Sequence, residues 1–216
     1  MRREPREYQF KQTVTMNPGF NAAELKIART YSQFIIVAVT DAGSAALMYE
    51  RTETGICKEI VNTEAVIGKN GLGKTKEGDG KTPAGLFTLT TAFGIKDNPG
   101  TALVYKKLED SDYWVDDPAS KYYNRFVSMR EVEKDWNTAE HLIDEKTAYR
   151  YAIAVDYNTE CRKEAGSAIF LHCFSGGATQ GCIAVPEENM LAILKNIKKD
   201  CAILIEDAFK ISAFQG

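Results

Sequence analysis

Hydrophobic and polar positions alternate along this chain in short runs, which is the pattern of β-strands. Two apolar runs, Phe34–Thr40 and Ser44–Arg51, flank Asp41 and Gly43, and this arrangement predicts a hairpin. Further strands are predicted at 57–67, 86–92, 149–157, 167–174 and 201–205. Because no strand–helix–strand alternation connects them, we expect a mainly antiparallel β domain of sandwich or barrel type and not a parallel doubly wound sheet.

Helical patterns occur only in short segments. A capping-box pattern that begins at Asn21 predicts a helix through about Arg29. The same pattern from Asn137 to Glu140 predicts another short helix, and we place the adjacent His141 on its polar surface. The last predicted helix opens at Pro186 and buries a stripe of Met190, Leu191, Leu194 and Ile197.

Two long stretches separate the predicted strands. Residues 68–85 are rich in glycine and predict a loop, and residues 95–135 mix aromatic residues with Asp and Pro and predict a long irregular region. A loop of this length in a compact domain is usually functional. We expect residues 1–30 to form a polar lead-in with the short helix and residues 31–216 to form one domain.

Composition excludes several classes of protein. The length of 216 residues suits a single domain, and a net charge of -3 offers no basic surface for nucleic acid. The richest apolar run, Phe34–Val39, is far too short to span a membrane. Residues 1–10 carry charge, but no apolar stretch follows them, so we expect no signal peptide in this chain.

The cysteines are odd in number and irregularly spaced. The sequence has five of them, namely Cys57, Cys161, Cys173, Cys182 and Cys201. No Cys-x-x-Cys pair occurs, which argues against a zinc knuckle or a thioredoxin-type motif. An odd count leaves at least one thiol free, which suits a catalytic cysteine and suits a buried structural one equally well.

The stretch from Gly166 to Ala184 carries the candidate chemistry. A predicted strand brings His172 to its end, and a glycine-containing turn then returns Cys182 to the same place. On the strand, alternation predicts one face with Phe170, His172 and Phe174 and an opposite face with Ile169, Leu171 and Cys173. Since a thiolate is the reactive form of cysteine, a neighbouring imidazole that takes its proton would activate it.

Other residues of this stretch complete the hypothesis. The backbone amides of Gly181 and Cys182 could form an oxyanion hole. Ser175, or a backbone carbonyl between Cys173 and Gly177, could orient the imidazole. The alternative for Cys182 is a buried structural thiol. A metal site is disfavoured because no fourth ligand with familiar spacing is present.

Residues Gly68–Thr75 match the Walker A nucleotide-binding pattern. That pattern works only if a helix starts at Lys74 and points its amides at phosphate. The residues that follow, 76–83, contain two glycines and end in a proline and cannot form that helix. We therefore reject a nucleotide-binding loop.

The segment Gly166–Phe174 with Thr179-Gln-Gly-Cys182 resembles the active-site signature of the YkuD-type L,D-transpeptidases, in which a strand histidine precedes a Ser/Thr-x-Gly-Cys box. The upstream element with Thr82, Pro83 and Gly85 agrees with this resemblance. Further landmarks are Val66–Gly71, Trp114–Pro118, Ser120, Tyr123-Asn124, Trp136 and Ala139-Glu140. The similarity runs from about residue 33 to residue 207.

The resemblance implies an L,D-transpeptidase-like β-sandwich or barrel with a few short helices and a long loop region. It implies that Cys182 attacks the bond between diaminopimelate and a terminal D-alanine in a peptidoglycan stem peptide, with His172 as proton donor and acceptor. An amine of a second stem then resolves the acyl-enzyme. Members need no metal or other cofactor, are typically acylated by carbapenems, and act in the periplasm or cell wall.

The resemblance also assigns substrate contacts to Thr179, Gln180, Thr82 and Gly85. The chain departs from the family pattern, in which many members have histidine at position 180 and arginine at 184, where this chain has Gln and Ala. Donor recognition is therefore expected to differ. Alternatives are an L,D-carboxypeptidase or amidase-type hydrolase, which product analysis separates, and a catalytically inactive wall-binding module.

Overall fold

The computed structural model describes residues 19–211. The predicted lead-in falls mostly on residues 1–18, which lie outside the described part. The strands are β1 Gln33–Thr40, β2 Gly43–Arg51, β3 Cys57–Ala65, β4 Gly85–Gly94, β5 Val104–Lys107, β6 Asp112–Val115, β7 Arg125–Ser128, β8 Ala139–His141, β9 Ala152–Val155, β10 Phe170–Cys173, β11 Ile183–Val185 and β12 Ala202–Asp207. The helices are α1 Lys26–Thr30, α2 Glu187–Asn196 and α3 Ala208–Ile211, with 3-10 turns at Ala22–Glu24, Leu142–Asp144 and Ala148–Arg150.

A nine-stranded sheet forms a nearly closed barrel. Its strands follow the order β11-β10-β9-β4-β12-β1-β2-β3, with β5 added beside β4. The two ends of this order meet, because Val66, just after β3, exchanges backbone hydrogen bonds of 2.8 Å with Ala184 of β11. Most pairs are antiparallel, and β1–β12, β10–β11 and β4–β5 are parallel. The predicted fold class is confirmed.

The inner face of the barrel is the main hydrophobic core. Alternate residues of the barrel strands point into it and are almost fully buried, as for Ile35, Leu171 and Ile203. Helix α2 adds its apolar side to this core through Met190, Ile193 and Leu194, and Ile197, which caps the helix, packs there too. The predicted stripe is therefore correct except at Leu191, which is only partly buried, while Ile193 takes the inward position.

The outer face of the barrel is covered on two sides. On one side α1 and α3 pack against β1, β2 and β12, so the short N-terminal helix belongs to the packed domain. On the other side a three-stranded antiparallel sheet, in the order β7-β6-β8, covers strands β4, β9 and β10. Aromatic contacts join the two layers, and Trp114 of β6 meets Phe170 of β10 edge-to-face at 4.9 Å between ring centroids.

Two local predictions in this region are wrong. Residues 95–135 contain the strands β5, β6 and β7, so the stretch is not wholly irregular. The predicted helix at Asn137–Glu140 is instead strand β8, which pairs with β6 and carries His141. Tertiary contacts replace the bond that would complete a capping box: the Asn137 N–H donates to Asp117 Oδ2 at 2.7 Å, and Glu140, which would accept that N–H in a helix, accepts from the Tyr149 hydroxyl.

Within residues 19–211 no helix has the length and apolar character needed to cross a membrane.

Candidate active site

Strand β10 positions the candidate histidine. It begins at Phe170, later than predicted, because Ala168 has a positive φ of 53° and leaves the strand geometry. The predicted alternation is confirmed for the core face, where Leu171 and Cys173 point into the barrel. His172 points to the other face, where it is 6% exposed. A core role for Cys173 is therefore consistent with its position.

The imidazole of His172 is oriented by its own strand. Its Nδ1 lies 2.8 Å from the backbone carbonyl oxygen of Cys173. A carbonyl only accepts, so Nδ1 carries the hydrogen, and Nε2 of the neutral ring keeps a free lone pair. Of the two predicted ways to orient the ring, the structure has the carbonyl, whereas Ser175 is exposed on the following turn. Burial lowers the pKa of His172, and the hydrogen bond to Cys173 opposes this shift.

The thiol of Cys182 lies in the same region, beside the segment that precedes β10. Its Sγ donates to the carbonyl oxygen of Ala168 at 3.2 Å and accepts the backbone N–H of Phe170 at 3.3 Å. Burial raises the pKa of this thiol, the charge of Glu140 raises it further, and the Phe170 amide and the charge of Lys74 act in the opposite direction. The resting sulfur is therefore a neutral thiol that is hydrogen-bonded to backbone.

The turn before Cys182 requires glycine. Gly181 has φ +147°, and a Cβ at this position would lie 2.8 Å from the carbonyl oxygen of Lys81. Its N–H donates to Thr179 Oγ1 at 3.1 Å, and the same hydroxyl donates to the carbonyl of Cys182 at 2.7 Å. The amide predicted as an oxyanion donor is thus engaged within the turn in this geometry.

The predicted substrate residues divide into two groups. Thr179 and Gln180 line the cavity described below. Thr82 is fully buried, and its hydroxyl accepts the N–H of Gly68 at 2.8 Å and lies 3.4 Å from the carbonyl of Cys182. Gly85 begins β4 opposite Ile205. Because Thr82 presents no surface to a ligand, the prediction that it contacts substrate does not fit its burial, and its hydrogen bonds give it a structural role.

The loop 68–85 is held by one ion pair. Lys74 Nζ lies 3.2 Å from Asp79 Oδ1, and their side chains are 2% and 7% exposed. Although burial opposes it, hydrogen bonds from three backbone amides of the loop and from Lys74 hold the pKa of Asp79 at about 2. No helix follows Lys74, so the loop lacks the feature that a Walker A site requires. The loop is instead a support for the turn at Gly181.

A second support comes from the segment between β6 and β7. Asn124, which has φ +56°, accepts the Trp114 indole N–H at 3.0 Å and the backbone N–H of Ala168 at 3.1 Å. The hydroxyl of Tyr123 accepts the N–H of Gly166 at 3.0 Å. These contacts fix the backbone that in turn binds the Cys182 thiol. The landmark residues Tyr123 and Asn124 therefore have a clear structural explanation.

Cys182 and His172 open into one cavity of about 310 Å³. Its wall is formed by Glu140, Glu145, Ala148, Tyr149, His172, Phe174, Ser175, Gly176, Gly177, Ala178, Thr179, Gln180, Cys182 and Ala184. The cavity thus joins the end of β10, the glycine turn and the strand β8 of the small sheet. Among residues 19–211 no group of three or more His, Cys, Asp or Glu side chains is arranged to hold a metal ion.

Glu140 and Tyr149 line the cavity beside His172, and neither is among the predicted site residues. Glu140 accepts a short hydrogen bond from the hydroxyl of Tyr149, whose ring meets that of His172 edge-to-face at 5.6 Å. Burial raises the pKa of Glu140 to about 7, and the charges of Asp116, Glu145 and Glu77 add to this, while the Tyr149 bond opposes it. In the sequence, Glu140 stood only among the landmarks, and the capping-box pattern assigned it to a helix.

The nearly closed β-barrel, with a thiol and an imidazole in one cavity on its outer face, defines the class as an L,D-transpeptidase-like catalytic fold. The chain belongs to the YkuD family, because the model of the L,D-transpeptidase catalytic domain matches residues 33–205. No curated protein sequence matches the chain.

Solved structures are similar to this chain at low identity and with TM-scores below 0.5. The helical cell shape determining protein Pgp2 from Campylobacter jejuni is 18% identical with a TM-score of 0.46, and the match covers 82% of this chain and 48% of Pgp2. This chain therefore spans about half the length of Pgp2. The catalytic domain of an Enterococcus faecium L,D-transpeptidase acylated by ertapenem is 14% identical with a TM-score of 0.36, and the match covers 80% of this chain and 96% of that domain.

Proposed function

We propose that this protein is a cysteine-dependent peptidoglycan L,D-transpeptidase, with Cys182 as the nucleophile and His172 as the general acid and base. The observation that carries the proposal is that both side chains open into one cavity, and that the bond from His172 Nδ1 to Cys173 leaves Nε2 as the acceptor. An imidazole held in this tautomer is the form that can take a thiol proton.

The first half of the reaction forms an acyl-enzyme. His172 Nε2 takes the proton of the Cys182 thiol while sulfur attacks the carbonyl carbon of the third stem residue. The C–N bond to D-alanine breaks, and His172 returns the proton to the departing amine. Because burial lowers the pKa of His172 and raises that of Cys182, a preformed thiolate–imidazolium pair is disfavoured in the resting site.

The thiol must turn before it reacts. It is bonded to the backbone of Ala168 and Phe170 in the resting state, so attack requires rotation of the Cys182 side chain toward His172. The amide of Cys182 then serves as one oxyanion donor. The amide of Gly181 joins it when it exchanges Thr179 Oγ1 for the oxyanion. We therefore expect iodoacetamide to alkylate Cys182 slowly at pH 7 whether the protein is an active enzyme or an inactive wall-binding module, so this reagent does not separate the two.

The experiment is mass spectrometry of purified disaccharide-tetrapeptides incubated with the wild type, with Cys182→Ser, and with Cys161→Ser as control. Cys161 is a partly exposed thiol away from the lining of the cavity. Loss of D-alanine together with cross-linked dimers, in the wild type and the control only, supports the transpeptidase. Loss of D-alanine without dimers supports a hydrolase, and no reaction in any sample argues against an enzyme acting on this substrate.

An independent readout is the intact mass after incubation with a carbapenem. We expect one covalent adduct on the wild type and on Cys161→Ser and none on Cys182→Ser. The proposal places the protein outside the cytoplasm, where stem peptides of the wall are its partners.

A further inference from the structure

The charged side chains that line the cavity are acidic, whereas Lys74, whose positive charge acts on Cys182, lies outside the lining and is paired with Asp79. The lining contains two carboxylates, Glu140 and Glu145, and among the described residues that line the cavity there is no lysine or arginine. Two more carboxylates, Asp116 and Glu77, lie close enough to raise the pKa of Glu140 further. A cavity with this balance attracts a cation and disfavours an anion.

Glu140 is the carboxylate best placed to use that balance. It lies on strand β8 and accepts a hydrogen bond from the Tyr149 hydroxyl. The ring of Tyr149 also contacts the imidazole of His172. A carboxylate has about four acceptor positions, and Tyr149 occupies one of them. The side chain therefore lies on the wall of the cavity that contains the proposed reacting groups, and it has capacity for a further donor.

We propose that Glu140 binds the ammonium group of the acceptor amine, and this inference rests on the proposed function. Glu140 then accepts the proton that the ammonium group must lose before the amine attacks the acyl-enzyme. An alkyl ammonium has a pKa near 10 and no free lone pair at neutral pH, so the acceptor cannot react until a base removes that proton. Glu140 would thereby favour transfer of the acyl group to an amine over transfer to water.

Acyl transfer to the amine uses two proton acceptors. The ammonium gives one proton to Glu140, and the nitrogen lone pair forms the C–N bond to the thioester carbonyl carbon. The tetrahedral intermediate gives a second proton from nitrogen to His172. The electron pair of the breaking C–S bond goes to sulfur, and His172 returns the proton to Cys182. The products are an amide, a free thiol and one proton, which Glu140 releases to solvent.

The environment of Glu140 suits this task. Burial and the neighbouring carboxylates raise its pKa to about 7. A carboxylate with that pKa is a much better base than one at its ordinary value and still releases its proton near neutral pH. The groups that face it are Tyr149, Asp116, Glu145 and Glu77, and the thiol of Cys182 lines the same cavity.

The test measures how the acyl-enzyme partitions. The donor is a disaccharide-tetrapeptide whose free diaminopimelate amine is acetylated, so that it cannot act as an acceptor, and the acceptor probe is propylamine at increasing concentration. The ratio of propylamide to hydrolysed tripeptide is read by mass spectrometry. For Glu140→Gln we expect equal amounts of both products only at a roughly ten-fold to hundred-fold higher propylamine concentration, as follows from losing a hydrogen bond to a charged group.

Two matched variants sharpen the result. Glu145→Gln removes the exposed carboxylate of the same cavity, and because water screens it the partition should change by less than about two-fold. Glu140→Asp keeps the charge and should give an intermediate partition. The partition ratio is set after the acyl-enzyme has formed, so it is compared between variants whatever the rate at which each one releases D-alanine. Near-UV circular dichroism verifies the fold, and the carboxamide introduced by Glu140→Gln keeps an oxygen for the Tyr149 hydroxyl.

The outcomes are distinct. An unchanged partition in Glu140→Gln, or an equal change in Glu145→Gln, overturns the inference while the proposed function stands. If Glu140→Gln slows D-alanine release only from the donor with a free amine, Glu140 binds the ammonium of the donor and the assignment to the acceptor is overturned. A wild type that releases no D-alanine and forms no carbapenem adduct overturns the proposed function together with this inference.

Discussion

Two acidic side chains on either side of the candidate site show opposite behaviour. Asp79 in the loop 68–85 receives three backbone amides and the ammonium of Lys74, and these bonds hold its pKa at about 2 despite burial. Glu140 on the cavity wall accepts a bond from Tyr149 and lies near other carboxylates, and burial raises its pKa to about 7. Both are carboxylates with little exposure to water, and their partners decide the difference.

The two carboxylates therefore have different roles. A carboxylate whose acceptor positions are filled by fixed donors stabilises the fold and has no capacity for a substrate. A carboxylate that lacks a cationic partner in a cavity costs free energy to keep charged, so its pKa is raised. Enzymes often use groups with such shifted pKa values to exchange protons. The loop with Asp79 thus supports the Gly181 turn, and the wall with Glu140 belongs to the proposed reactive cavity.

The largest expected effect is on the cavity side. His172→Gln removes the base, and we expect the rate of D-alanine release to fall by about 10²-fold to 10⁴-fold with little loss of stability. The readout is the initial rate on the disaccharide-tetrapeptide beside a thermal unfolding curve. His141→Gln is the control, since its ring lies between Asp144 and the backbone of Asp110. An equal loss of rate in the control would contradict the assignment of His172.

On the scaffold side, Asp79→Asn leaves the ammonium of Lys74 buried without its counter-charge. We expect the free energy of unfolding to fall by about 3–5 kcal/mol, because one partner of a buried ion pair is removed. Urea unfolding followed by circular dichroism measures it. The control is Asp97→Asn, whose exposed pair with Lys107 is screened by water and should leave stability unchanged. A stable Asp79→Asn variant would show that the loop does not depend on this pair.

The raised pKa of Glu140 predicts that a neutral side chain at this position gains stability relative to the wild type as pH rises. The folded-state pKa of Glu140, about 7, lies above the ordinary value of 4.5, so its contribution to stability is present below pH 4.5 and is lost as pH rises toward 7. Glu140→Gln removes this loss, and its stability relative to the wild type should rise between about pH 5 and pH 8 by up to about 3 kcal/mol. Unfolding curves of the wild type and of Glu140→Gln at pH 5 and at pH 8 measure this difference in stability. A difference that is independent of pH would mean that Glu140 titrates normally.

The smallest effect concerns the link between the two regions. Thr82→Val keeps the shape of the side chain and removes the hydroxyl that accepts the Gly68 N–H. We expect a loss of about 1–3 kcal/mol of stability, because a buried N–H is left unsatisfied. We also expect the KM to rise while Cys182 still acts as the nucleophile, because the backbone turn at Cys182 shifts but the thiol remains. A full carbapenem adduct on the variant would agree, and its absence would assign Thr82 a direct part in the reaction.

Much of the fold follows from local sequence. The β1–β2 hairpin and helix α2 lie where the periodicity placed them, because each has a strong pattern and a clear turn or cap. The segment Asn137–Glu140 does not, because the Asn137 N–H that Glu140 would accept in a capping box donates to Asp117 instead, and Glu140 accepts from Tyr149. A local pattern fails when a remote partner supplies the same hydrogen bonds more effectively.

The sequence by itself determined the mainly β architecture, the thiol and imidazole that end in one cavity, and the need for glycine at position 181. These follow from strand alternation and from the sharp turn before Cys182, which are properties of neighbouring residues. Only the tertiary structure decided that a backbone carbonyl and not Ser175 orients His172, that the buried Thr82 links the 68–85 loop to the Cys182 turn, and that Glu140 faces the cavity. Those roles depend on burial and on charges that meet across the fold, and no spacing along the chain encodes them.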